Sequence, residues 1–168
     1  LRMAHYFRQA IEETLPWLSS FGSDPTGGLT RLLYSPEWLQ AQQAFKQKMS
    51  DSGLETRFDE VGNLYGRLPG SRFPDDVILS GSHIDSVVNG GNLDGQFGAL
   101  AAWLAVRWLK ETYGAPLRTV EVLALAEEEG SRFPYVFWCS KNIVGIANPA
   151  DVREIKDAKG VAFVEAMK

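Results

Sequence analysis

The segment that most constrains the fold is residues 119–126, an apolar run containing Val120, Val122, Leu123 and Leu125 that ends in Glu127-Glu128-Glu129-Gly130. A mostly apolar stretch of this length, with several β-branched residues, reads as a buried strand. Three like charges directly after it repel one another unless water or cations offset them. A second apolar run, residues 77–80, leads in the same way into Ser82-His83-Ile84-Asp85. Between the two lies a helical pattern, residues 98–109, apolar nearly all round and so expected to be buried. This β-α-β order predicts an α/β fold, a three-layer αβα arrangement with a mostly parallel sheet and helices on both faces. In such sheets ligands gather at the carboxyl ends of the strands, where His83 and the glutamate run both fall.

The residues before this unit carry local signals of their own. Phe7, Ile11, Leu15 and Leu18 recur at helical spacing, with Pro16 expected to kink or restart that helix. Asp24-Pro25-Thr26-Gly27-Gly28 reads as a loop. Ser35-Pro36 gives an N-cap followed by proline at the first helical position. Trp38, Ala41, Phe45 and Met49 then line one helical face, and Gly53 ends it. Residues 56–59 and 63–67 read as short strands joined through Val61-Gly62.

Net charge and cysteine usage narrow the function. With 17 Lys and Arg against 21 Asp and Glu, the net charge is −4, and no basic stripe is available to neutralise phosphates, so a nucleic-acid partner is not expected. Cys139 is the only cysteine, which fits a reducing, cytoplasmic setting without an intrachain disulfide. No apolar run approaches the ~20 residues that span a bilayer, and the first residues lack the apolar core of a signal peptide. At 168 residues a single domain is the expectation.

Three clusters carry chemistry: Ser82-His83-Ile84-Asp85, Asn92-Leu93-Asp94-Gly95 and Glu127-Glu128-Glu129-Gly130. Residues two apart on an extended segment project to one side, so Asp85 can reach the ring of His83. A carboxylate on one imidazole nitrogen fixes the tautomer and leaves the other nitrogen free for a metal. Each cluster alone has a plainer reading: a histidine in a turn, an Asp-Gly turn, a solvated acidic edge. Asn89-Gly90-Gly91 nevertheless permits a tight backbone that can aim Asp94 inward. One imidazole with several carboxylates, each following a strand or a tight loop, is a donor set suited to zinc or manganese with open positions for water. Metal-assisted hydrolysis is the chemistry that set best supports.

Gly81-Ser82-His83-Ile84-Asp85-Ser86, Asn92-Leu93-Asp94-Gly95 and Glu128-Glu129-Gly130-Ser131-Arg132-Phe133 resemble the M20 metallopeptidase-like amidohydrolases. The resemblance runs over essentially the whole chain, including Tyr34-Ser35-Pro36-Glu37-Trp38 and Phe58-Asp59-Glu60-Val61-Gly62-Asn63-Leu64. It implies two divalent ions, zinc or manganese, with His83 on one, Glu129 on the other and Asp94 bridging both. It further implies Glu128 as general base, Asp85 as the residue orienting the His83 side of the site, and no role for Glu127. The implied activity is hydrolysis of the ureido group of allantoate to ureidoglycine, ammonia and carbon dioxide. N-carbamoyl-L-amino acids are the alternative substrates, and a non-catalytic binding module on the same fold is the alternative class. Members of the family are much longer than this chain. Residues 1–168 are therefore expected to form the N-terminal part of the metal-binding catalytic domain. The rest of that domain, with substrate contacts, and a dimerisation or lid domain are expected beyond Lys168, the whole protein being a homodimer. His5 and His83 are the only histidines, so the remaining imidazole ligands are expected outside this stretch, leaving it inactive alone.

Overall fold

The computed structural model describes residues 2–168. Helix α1 (Arg2–Ser19) packs on helix α3 (Gln96–Tyr113), and α2 (Pro36–Asp51) lies against both α3 and the sheet. The strands are β1 (Glu55–Phe58), β2 (Leu64–Leu68), β3 (Phe73–His83) and β4 (Arg118–Leu125), in the order β1-β2-β4-β3. Short helices α4 (Trp138–Ile143) and α5 (Phe163–Ala166) follow the sheet. Among the described residues no helix is long and apolar enough to cross a membrane.

Local sequence signals set several of these elements. The Ser35 hydroxyl accepts the backbone N–H of Trp38, capping α2, and Gly53 with φ +80° turns the chain out of it. Helix α1 runs unbroken through Pro16, where a kink or restart is expected. Pro16 and Glu12 are both solvent-exposed, so water can take the Glu12 carbonyl that the proline nitrogen leaves unpaired.

The α/β expectation holds, with a sheet that is mixed rather than mostly parallel. Only β3 and β4 run parallel, joined by the α3 crossover; β1–β2 and β2–β4 are antiparallel. The turn between β1 and β2 is too short for anything but a hairpin. In it Asp59 accepts the backbone N–H groups of Val61 and Asn63, 3.1 and 2.9 Å away. The long helices share one face. A Cβ on Gly66 would meet the Met49 side chain of α2, and one on Gly98 of α3 would meet Ser82. Gly66 and Ser82 are in register with Val122 and Ala124 of β4, whose side chains point the same way. The opposite face presents Tyr65, Leu123 and Glu121, with Arg57 stacked 3.8 Å over the Tyr65 ring and Arg67 beside Glu121. The core lies between the helices and the first face, around Phe45, Met49, Leu64, Leu100, Trp103, Leu104 and Val122.

Candidate metal centre

Parallel pairing of β3 and β4 sets His83 opposite Leu125, so both strands end at the same level. The Ile84 N–H continues the ladder to the Leu125 carbonyl at 2.9 Å, delivering the histidine segment beside the glutamate run. Two residues from the segments that carry the resemblance hold the end of β4. Asn63 Oδ1 accepts the Ala126 N–H at 2.9 Å, and Trp38 Nε1 donates to the Ala126 carbonyl at 2.8 Å.

Asp85 ties the two segments together. Its Oδ1 lies 3.1 Å from His83 Nδ1 and accepts the Glu128 N–H at 2.9 Å; its Oδ2 accepts the Glu129 N–H at 3.2 Å. One carboxylate, 1% exposed, therefore orients the imidazole and anchors the backbone of both glutamates. With Nδ1 so engaged, Nε2 is the free ligand nitrogen. It faces Asp94 Oδ1 at 3.7 Å. Asp94 arrives on the turn before α3, and its carbonyl accepts the Gln96 N–H at 2.7 Å. Between them Gly95 has φ +67°, and a Cβ there would stand 2.7 Å from His83 Nε2. Only glycine fits on both counts.

Ligand atoms of His83, Asp94 and Glu129 all lie within 4.8 Å of one another, the only such grouping of potential metal ligands among the described residues. The electrostatics suit a cation there. Burial, the Asp94 charge and a hydrogen bond to it all raise the Glu129 carboxyl, while the His83 charge lowers it. Burial disfavours a charged His83, but the hydrogen bonds and charge of Asp85, with Asp94, prevail and lift it to about 9. Repelling carboxylates beside a ring with one nitrogen facing them form a donor set that one divalent ion fits, with room left for water. The Asp94 side chain is 71% exposed, so the site is open.

Glu127, given no role by resemblance, is turned away from this cluster. Its carboxylate accepts the backbone N–H groups of Gly130, Phe137 and Trp138 at 3.2, 3.1 and 2.9 Å. It closes the loop after the glutamates and caps the start of α4, where Phe137 is left-handed at φ +62°. Sequence reasoning also passed over Arg31 and Gln96, both buried behind the ligands. The one hint was that an arginine stands in an otherwise apolar stretch. His5, the other histidine, is exposed on α1.

No family model matches the chain. It is similar to an allantoate amidohydrolase of Escherichia coli, 78% identical over 166 residues that cover 99% of this chain and 40% of that protein. An N-carbamoyl-L-amino acid amidohydrolase of Geobacillus stearothermophilus is 38% identical over 160 residues, covering 95% of this chain and 39% of its own length. A solved hydantoinase/carbamoylase family amidase from Burkholderia ambifaria superposes with a TM-score of 0.86 at 29% identity, covering 98% of this chain and 39% of that one. The chain spans about two fifths of the length of these relatives. Over the stretch it spans, it belongs to the amidohydrolase family that contains the allantoate amidohydrolases and the N-carbamoyl-L-amino acid amidohydrolases.

Proposed function

We propose that residues 1–168 are the N-terminal part of the catalytic domain of a metal-dependent amidohydrolase acting on allantoate. The approach of His83, Asp94 and Glu129 carries the chemistry, because those three would hold divalent zinc or manganese. The identity to the allantoate amidohydrolase of E. coli favours allantoate as substrate. N-carbamoyl-L-amino acids are the second reading, favoured by the similarity to the Geobacillus relative. Two ions, further ligands and a dimer are expected of the whole protein, in the cytoplasm.

Bound metal supplies Lewis acidity, polarising the ureido carbonyl and lowering the pKa of water. The chain's own residues then move the proton. Glu128, its backbone fixed by Asp85, takes it from the attacking water and returns it to the departing ammonia. The carbamate left on the second nitrogen loses carbon dioxide, giving ureidoglycine. Asp85 keeps His83 in one tautomer throughout.

Two substitutions test this in a polypeptide of the relatives' full length carrying this sequence. Glu128→Gln is expected to keep its metal while ammonia release from allantoate falls ~10²- to 10⁴-fold. Glu129→Gln is expected to lower metal content and rate together. Full activity in Glu128→Gln, with loss in Glu127→Gln, would move the base by one residue and overturn the assignment.

A further inference from the structure

Arg31 is wholly buried, and no carboxylate lies within ion-pairing distance of it among the described residues. A buried cation in that position is costly unless its donors are taken up. Here they are. Nε donates to the Phe21 carbonyl at 2.9 Å and Nη2 to the Leu18 carbonyl, where α1 presents the partial negative charge of a helix C-terminus. Nη1 donates to the Ile84 carbonyl at 3.2 Å and to Gln96 Oε1 at 3.1 Å. The backbone joins in: the Arg31 N–H reaches Ser86 Oγ at 2.8 Å, and the Ser86 N–H returns to the Arg31 carbonyl at 3.0 Å. Arg31 thus grips both sides of Asp85, immediately after His83.

Gln96 carries the same grip to the other ligand. An arginine has no acceptor, so the amide must turn its oxygen to Arg31 and its NH2 away. That NH2 donates to the Asn92 carbonyl at 2.5 Å and to Ser19 Oγ at 2.7 Å. The Gln96 backbone N–H meanwhile takes the Asp94 carbonyl at 2.7 Å. Side chain and backbone of one residue therefore clamp the Asp94 turn from either side. We propose that Arg31 and Gln96 form a positioning pair that sets the gap between His83 and Asp94 to the width a divalent cation requires. The inference rests on the metal-site reading above and adds to it the chain's own means of pre-forming the site.

The test separates positioning from mere stability. Gln96→Glu still offers Arg31 an acceptor, now a charged one, but sets an oxygen against the Asn92 carbonyl in place of a donor. The 168-residue chain has only two histidines, so their ring protons report zinc binding directly by NMR, with exposed His5 as the internal reference. In the unaltered chain the His83 signals are expected to respond at lower zinc concentration than those of His5. In Gln96→Glu the thermal midpoint should stay near that of the unaltered chain, while the zinc midpoint at His83 rises about tenfold or more. Gln96→Met, which removes both contacts, should show the same zinc defect with a lower thermal midpoint. An unchanged zinc midpoint in Gln96→Glu overturns the pair and leaves the metal site standing. So does collapse of the Gln96→Glu fold, since the role is then structural. If His83 in the unaltered chain ignores zinc altogether, the metal reading and the pair fall together.

Discussion

The Glu127 carboxyl group is held against three backbone N–H groups, yet burial and the charge of Asp85 outweigh them and lift it to about 7 from an ordinary 4.5. His83, opposed by burial but favoured by Asp85, rises to about 9 from 6.5. In both cases the folded chain binds its proton more tightly than the unfolded chain does, so stability falls as pH rises. Glu127 contributes that fall between about 4.5 and 7, and His83 between about 6.5 and 9. The metal-free chain is therefore expected to melt at a higher temperature at pH 5.5 than at pH 8.5. Thermal scans across that range check it, and Glu127→Gln should flatten the lower half of the curve. A ligand must shed its proton to bind metal, so zinc affinity should run the opposite way, rising about tenfold per pH unit below the His83 pKa. Asp85→Asn is the companion test. An amide cannot accept from the His83 ring and both glutamate N–H groups as the carboxylate does, and zinc affinity should drop about 10- to 100-fold.

At the scale of elements, the turn before α3 is where backbone and ligand are most closely coupled. Gly95→Ala puts a side chain on a left-handed residue, costing about 1–2 kcal/mol from the backbone alone, and drives a methyl group into the His83 ring. Zinc binding should be lost with only a moderate fall in melting temperature, measured on the same sample. Elements marked by neighbouring residues are legible in the sequence. The Ser35-Pro36 start of α2, the Gly53 stop and the apolar run of β4 depend on contacts within a few positions. Of strand β3 the sequence marks only residues 77–80, because its first half carries Pro74, Asp75 and Asp76 and its side chains stay exposed on the sheet edge. The antiparallel pairing of β2 with β4 joins residues more than 50 positions apart, and nothing local announces it. The groups that support the site were hidden in the same way, for want of a local motif. His83, Asp94 and Glu129 stood out as residue types in short motifs. Arg31, Gln96 and Glu127 act through backbone carbonyls and N–H groups brought together only by the fold.

Across the whole molecule the two ends of the sheet are protected very differently. Strand β1 is short, and its Glu55 and Arg57 are the charged residues that natural sheets place on an edge to discourage pairing. Strand β3, at the other end, is 11 residues long. Pro74, Asp75 and Asp76, with a break in register between Phe73 and Val77, guard its first half. Its second half has no such guard. Val77, Ile78 and Leu79 are 47%, 55% and 45% exposed, and their outer backbone groups meet no further strand among the described residues. An apolar, unpaired edge of this kind is a template for another chain. The 168-residue chain is therefore expected to self-associate with rising concentration, which sedimentation velocity would record as a growing mean mass. Ile78→Lys should suppress that growth, because a charge on the exposed edge opposes strand addition while the half-exposed site tolerates it without loss of fold. Equal association by Ile78→Lys and the unaltered chain would place the contact elsewhere, the apolar patch of Leu109, Tyr113 and Leu117 being the next surface to change.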